Sequence, residues 1–314
     1  MRILYSAGNR LGSDAQMSRI VDHLSLEHQI RIAAFNNFSH TRQIIDWTLD
    51  ALYYKKAVYR QTNYGNVKLF LKDVERFGPD LIISDCEEMS AKIATVLGIK
   101  LWYCSPLLLY SGTVWGKFDK KYSHEFIMLS KYLRLLPKAE KYFIYSPFCE
   151  VKFGPQIKPG FEWIRPYYID ATDSTPNTYD NICILHDNQR ISILAPILDR
   201  AYPKISMVSR KCDLEKYKSL LCGSSKVLLA GETSYLSDVM YNWKNVCIFP
   251  SFSDKESLLN ALIISEYKIG VNLGQIELIG PLIFDTLQEA ISTPMNRLYM
   301  QKQNLKYLHQ HIFV

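Results

Sequence analysis

Residues 226–238, KVLLAGETSYLSD, constrain this chain more than any other segment. The apolar run over 226–230 reads as a buried strand that ends on Gly231. A helix is expected to start at once, with Thr233 and Ser234 as candidate caps and Asp238 in its opening turns. Residues 246–261 repeat the plan, with a strand over 246–249, Pro250, a polar loop, and a helix from about 254. Strand–loop–helix units in series make parallel neighbours in a sheet, because the helix carries the chain back before the next strand. Both polar loops then leave the sheet at one edge. A helix start there offers free N–H groups and the positive end of a dipole, which suits phosphate. Ligands of open α/β sheets bind at that edge.

Alternation of strands and helices extends through most of the chain. Residues 2–7 read as a first strand, a loop bounded by Gly8 and Gly12 follows, and Ser13 or Asp14 starts a helix to about 23. Strands are expected over 29–35, 79–84 and 100–104, with helical period over 41–77 (broken near 63–66) and over 91–97, ended by Gly98. Pro, Gly, Asp, Thr and Ser crowd 153–180, which reads as a linker. Strands follow at 181–185 and 205–208, with helices over 191–201 and 215–221, and the tail over 294–309 has helical period. The fold class predicted is α/β, with two doubly wound, Rossmann-like parallel sheets. The domains are 1–152, a linker over 153–180, 181–293, and a C-terminal helix over 294–314.

The length of 314 residues fits two domains of about 150 each. A hydrophobic share of 48% with 22% charged residues is ordinary for a soluble globular protein. No run of about 18 apolar residues occurs, so no transmembrane helix is expected. The first strand is too short and glycine-ended for a signal peptide. Seven scattered cysteines suggest free thiols in a reducing compartment, the cytoplasm, or the host's cytoplasm if the chain is viral. No Cys-x-x-Cys or His/Cys cluster points to structural zinc.

The net charge of +6 is concentrated in the first half, where residues 1–150 carry 20 Lys and Arg against 15 Asp and Glu. Residues 117–141 hold seven bases, including Lys117, Lys120 and Lys121, against three acids. Tyr53, Tyr54, Tyr59, Tyr64, Tyr122 and Tyr132 thread the basic stretches. Bases mixed with aromatics suit a polyanion such as nucleic acid or an anionic membrane surface; a lysine-rich solvated surface would read the same way.

The two units at 226–261 resemble the donor-binding half of GT-B nucleotide-sugar glycosyltransferases. That group includes the UDP-glucosyl and UDP-glucuronosyl transferases and the N-acetylglucosaminyl transferase of peptidoglycan synthesis. Its members carry a Gly-Gly-x-Gly/Ser-Thr-x-x-Glu loop, a strand, Pro, an acid–Gln pair and Asn-Ala. Gly231, Ser234 and Asp238 fall on the first glycine, the third small position and the acid; Glu256, Ser257, Asn260 and Ala261 fall on the later part. Glu232 replaces the second glycine, Tyr235 stands for Thr, and Ser257 stands for the Gln that holds sugar hydroxyls. In the first half, residues 7–19 resemble the family's first Gly-x-Gly-His-x-x-Arg loop, with Asp14 on the His position. Residues 78–88, GPDLIISDCEE, resemble the PDLVISDFEP stretch of related transferases.

The resemblance implies two facing domains, a C-terminal helix crossing back to the first, and transfer of sugar from a UDP-sugar to a hydroxyl. Asp14 is then the candidate base, or a plain helix cap. Asp85 and Glu87 could raise its pKa, or one of the two could itself be the base. Gly12 and Glu87 would lie on the acceptor side. Arg190 and the Gly231 loop, with Thr233, Ser234 and Tyr235, would hold the diphosphate, Asp238 the ribose, and Glu256 and Ser257 the sugar. No Asp-x-Asp motif appears, so no catalytic metal and no cofactor beyond the UDP-sugar is expected. The basic first half would suit a hydroxymethylated base in DNA as acceptor, as in phage glucosyltransferases, with Lys117, Lys120 and Lys121 on the backbone and the target base flipped out. An epimerase of the UDP-N-acetylglucosamine type, a transferase acting on a small molecule or surface glycan, and a non-catalytic binding module are alternatives. Valine at 231 is expected to abolish UDP binding and leave the fold intact.

Overall fold

The computed structural model describes residues 1–7, 13–33, 64–114, 123–151, 155–171, 181–186, 205–209, 214–250, 254–275 and 305–312. The chain forms two compact units. One is Met1–Ser146 with Gln156–Arg165 and Leu305–Val314; the other is Pro147–Pro155 with Pro166–Asn304.

In the first unit the elements are β1 (Arg2–Ser6), α1 (Ser13–Leu24), β2 (Gln29–Ala33), α2 (Tyr64–Phe77), β3 (Leu81–Ser84), α3 (Glu88–Leu97) and β4 (Lys100–Ser105). Then come α4 (Leu108–Gly112), β5 (Thr113–Val114), α5 (Ser123–Leu135), β6 (Lys141–Tyr145), β7 (Gln156–Ile157) and β8 (Glu162–Ile164). Six strands form a parallel sheet in the order β2-β1-β3-β4-β6-β8. The inner strands β1, β3 and β4 are short apolar runs, as a sheet covered on both faces requires, and all four residues of β3 are buried; the edge strand β2, QIRIA, alternates. Helix α2 shows how period sets burial. Phe70, Val74 and Phe77 are buried, whereas Lys68, Lys72 and Arg76 are exposed at four-residue spacing. Helix α3 ends on Gly98 at φ 65°, where the left-handed backbone lets the chain turn into β4. Residues 162–164, inside the stretch that reads as linker, form β8 at the sheet edge; three residues are too few to show a strand pattern in sequence. Strand β6 shows no such pattern either, because Lys141 and its two tyrosines read as the end of the charged stretch.

The second unit contains β9 (Asn181–His186), β10 (Ile205–Ser209), α6 (Leu214–Gly223), β11 (Ser224–Leu229), α7 (Thr233–Tyr241), β12 (Asn245–Ile248), α8 (Lys255–Glu266) and β13 (Val271–Asn272). Its parallel sheet runs β10-β9-β11-β12-β13.

The C-terminal residues pack on the first unit, ending in the short helix α9 (His309–Ile312). The N–H of Arg165 donates to the Lys306 carbonyl over 3.2 Å, and the Arg165 guanidinium lies 5.4 Å from the Tyr307 ring centre. His309 stacks between His23 and Tyr307, at 6.3 and 5.9 Å between ring centres. His311 lies 4.8 Å from Phe143 and 3.7 Å from the Glu162 carboxylate. Desolvation holds both imidazoles below their ordinary pKa. His23 adds to the effect at His309 against Glu27; at His311, Lys141 and Lys306 add to it and Glu162 opposes it. A base whose folded pKa is depressed binds more protons when unfolded, so docking is complete above the ordinary imidazole value and weakens as pH falls below it. Hydrogen exchange at residues 306–312, corrected for intrinsic rates, is therefore expected to accelerate severalfold between about pH 7.5 and about pH 5.5. The extra acceleration should vanish in His309→Phe/His311→Phe.

Candidate functional site

In the second unit the chain leaves β9, forms β10 on one side of it and returns to form β11 on the other. Strand order therefore reverses between β9 and β11. The crevice outside the strand ends at such a switch point is where open α/β sheets take ligands. The connections that leave there are the one after His186, which carries Arg190, and residues 230–232. Arg190 lies outside the described residues, as do Gly12, Lys117, Lys120 and Lys121.

Gly231 turns the chain from β11 into α7 at φ 106°, a backbone shape that side chains disfavour. A Cβ there would lie 2.9 Å from Ile248 Cγ2 and 3.0 Å from the Ser257 carbonyl oxygen. The expectation that valine at 231 spares the fold is thus corrected, since backbone and neighbours both close the position. The cap of α7 is Glu232 rather than Thr233 or Ser234, and its side chain makes no capping hydrogen bond. Thr233 is the first helical residue. Its N–H donates to Glu256 Oε1, 2.6 Å away on α8.

Two more α8 side chains hold the same loop. Ser257 Oγ donates to the Ala230 carbonyl, and Asn260 Nδ2 donates to the Gly231 carbonyl at 2.7 Å and to Thr233 Oγ1 at 3.1 Å. Every α8 residue from Glu256 to Ile264 is buried. Polar groups on so buried a helix need protein partners, and the glycine loop supplies them. Glu256 and Ser257, read from the resemblance as sugar contacts, are placed instead as braces of the loop.

Asp238 also differs from its expected place at a ribose. It is wholly buried, and Oδ1 accepts from the Ile169 N–H at 2.7 Å while Oδ2 accepts from the Tyr217 hydroxyl at 2.8 Å. With Asn242, which bonds the Ile169 carbonyl and the Ala171 N–H, it fastens residues 169–171 to α7. Thr233 and Ser234 are buried, and Tyr235 is the partly exposed side chain of this turn, edge-on to Tyr217 at 6.1 Å. Sequence reading did not find Asn260 or Tyr217 as supports. Asn260 sat in the quoted pattern without a task, and nothing in sequence joins Tyr217 to an acid 21 residues on.

The first unit has its own switch point between β1 and β3. Residues 85–87 leave there, and so does the connection into α1, whose second residue is Asp14; the Asp14 side chain lies outside the described residues. Cys86 adopts φ 54°, a left-handed shape that costs a non-glycine residue about 1–3 kcal/mol. The Tyr132 hydroxyl donates to its carbonyl at 2.6 Å, and Ser84 Oγ bonds both the N–H and the carbonyl of Glu87. Such strain collects at functional turns. Glu87, expected on the acceptor side, is buried as the cap of α3. Oε1 accepts from the Met89 N–H, and Oε2 from the Ser90 N–H, Ser90 Oγ and Ser6 Oγ, at 2.6 to 3.0 Å. Burial pushes its pKa up, and those donors pull it back. Asp85 is buried beside it, its N–H on the Ser6 carbonyl at 2.9 Å. Among the described residues no three His, Cys, Asp or Glu gather as a metal site, and no helix is long and apolar enough to cross a membrane.

No family model and no curated protein matches the chain. Solved structures do. The spinosyn forosaminyltransferase SpnP superposes with TM-score 0.61 and 14% identity, over 93% of this chain and 90% of its own. The Streptomyces sp. SF2575 glycosyltransferase SsfS6 gives 0.59 and 14%, over 92% and 90%. Phytolacca americana UGT2, complexed with UDP-2-fluoro-glucose and pterostilbene, gives 0.60 and 11%, over 93% and 90%. The chain has the GT-B fold. At these identities the likeness is one of architecture, and in this GT-B chain the glycine loop and the strained turn at Cys86 each leave a parallel sheet at its switch point.

Proposed function

We propose that the protein transfers a sugar from a UDP-sugar to a hydroxyl acceptor. The observation that carries the reading is the glycine turn at the β9/β11 switch point, closed to a side chain at Gly231 and braced from α8. Solved structures of similar fold support it, since SsfS6 is also known complexed with thymidine diphosphate and UGT2 with a UDP-sugar analogue. Transfer needs the acceptor hydroxyl to lose its proton and the leaving diphosphate to be neutralised. The resemblance puts the diphosphate beside the start of α7 and Tyr235, with Arg190 as the cation. Asp14 is the base. Asp14→Asn is expected to lower turnover by about a hundredfold with UDP affinity kept; near wild-type turnover would pass the role to Asp85.

The acceptor in this reading is a hydroxymethylated base in duplex DNA. The charge of residues 1–150 supports it, as does the exposed row Lys68, Lys72 and Arg76 on α2, of which Arg76 also pairs with Asp73 at 3.4 Å. Labelled UDP-sugar mixed with hydroxymethylated or plain DNA tests this. Label on the modified DNA alone, lost on Lys117→Glu/Lys120→Glu/Lys121→Glu and with added salt, is the expected result. No label on either DNA moves the acceptor to a small molecule or glycan, and a new UDP-sugar formed without acceptor means epimerisation.

A further inference from the structure

The first unit contains a pocket of about 570 Å³ that the sugar-transfer reading does not use. It is floored by the start of β6 and by the turn that enters β8, and walled by α4 and the end of α5. The connections at both switch points leave from strand ends; this pocket opens where β6 and β8 begin. Its size falls within the range of about 300–1,000 Å³ typical of small-molecule sites.

The lining has a one-sided chemistry. Rings form much of it: Tyr142 lies 5.3 Å from Phe161 and 5.6 Å from Tyr103, and Tyr110 is held from behind by Phe126, which lies outside the lining, at 5.2 Å. No aspartate or glutamate lines the pocket, whereas Arg134 and Lys158 both do. The carbonyls at its edge already have donors. The Tyr103 hydroxyl donates to the Pro137 carbonyl at 2.9 Å, and Lys158 Nζ to the Ser111 carbonyl at 2.9 Å. The second bond also fixes the ammonium at the rim. The Tyr142 oxygen accepts the Ala139 N–H at 2.9 Å, which leaves its own hydrogen as a donor. The Arg134 side chain is exposed, and its guanidinium makes no hydrogen bond or ion pair among the described residues. The pocket therefore offers flat apolar faces, an unused guanidinium, an ammonium and a hydroxyl donor, and no carboxylate among its lining residues.

We infer that this pocket binds a small aromatic anion, with its ring among Tyr142, Phe161 and Tyr110 and its carboxylate or phosphate on Arg134 and Lys158. Guanidinium and ammonium bonds to such an anion are about twice as strong as neutral ones, and aromatic walls favour a planar ring over a saturated one. A neutral ring would leave Arg134 without a partner, and a simple anion would leave the rings unfilled. The inference stands apart from sugar transfer and holds whether or not a nucleotide-sugar binds the second unit.

Calorimetric titration of the full chain with 2-naphthoate, 2-naphthyl phosphate and 2-naphthalenemethanol tests it. At least one of the two anions should bind at least about tenfold more tightly than the alcohol; which of them is preferred distinguishes a carboxylate ligand from a phosphate. Arg134→Ala should weaken that anion about tenfold with an unchanged melting temperature, because Arg134 supports no other group. Ser130→Trp, which fills the pocket, should abolish binding in a protein whose melting transition stays cooperative. Equal binding of anion and alcohol, no binding of either anion at millimolar concentration, or full affinity in both variants would overturn the inference.

Discussion

Gly231→Ala is expected to destabilise the second unit by about 4 kcal/mol and to remove nucleotide binding. Two effects add. A side chain at φ 106° carries backbone strain of about 1–3 kcal/mol. A Cβ held 3.0 Å from the Ser257 carbonyl oxygen and 2.9 Å from Ile248 overfills a close-packed contact, for roughly 1–3 kcal/mol more. Ile248 ends β12 and Ser257 lies on α8, so neither gives way without moving an element. Gly98→Ala is the control. Its φ is 65° and nothing lies within 4 Å of the added carbon, so it should cost only about 1 kcal/mol. Denaturant melts of the two variants measure the difference. Equal small losses would mean that the close approach at Gly231 relaxes freely.

Asp238→Ala is expected to cost about 3 kcal/mol, because it leaves the Ile169 N–H and the Tyr217 hydroxyl without their acceptor in a buried place. Asp238→Asn keeps one acceptor oxygen and should cost about 1 kcal/mol. A ribose contact would behave in the opposite way, with UDP affinity lost and the melting midpoint unmoved. Measuring both quantities on the same preparations separates the two, and unaltered stability in Asp238→Ala would return the residue to the ligand.

The parallel α/β architecture was legible because it rests on local rules. Apolar runs such as 81–84 have to be buried strands, Gly98 ends a helix, and the Gly231 turn is written as strand, glycine, helix. What escaped reading were tasks set by pairing across the sheet. Glu256 and Asp238 carry the same chemistry whether they hold a sugar or a neighbouring N–H. Only the position of Thr233 and Ile169 decides, and those partners lie 23 and 69 residues away. Glu87 is similar. Its helix-cap role depends in part on Ser6, 81 residues earlier in β1. The cap of α7 moved by one residue because α8 supplies a carboxylate from outside the helix, which removes the need for Thr233 to fold back on its own backbone.

In the proposed transfer a nucleotide-sugar is held at the braced glycine turn of the second unit. Hydrogen–deuterium exchange of the full chain, with and without saturating UDP-glucose, reads that contact. Exchange is expected to slow over residues 229–236 and the start of α8, with the slowing absent in Asn260→Ala, which loses the bonds to Gly231 and Thr233. Protection confined to other segments, or none with UDP-sugar and TDP-sugar alike in a folded protein, would contradict it.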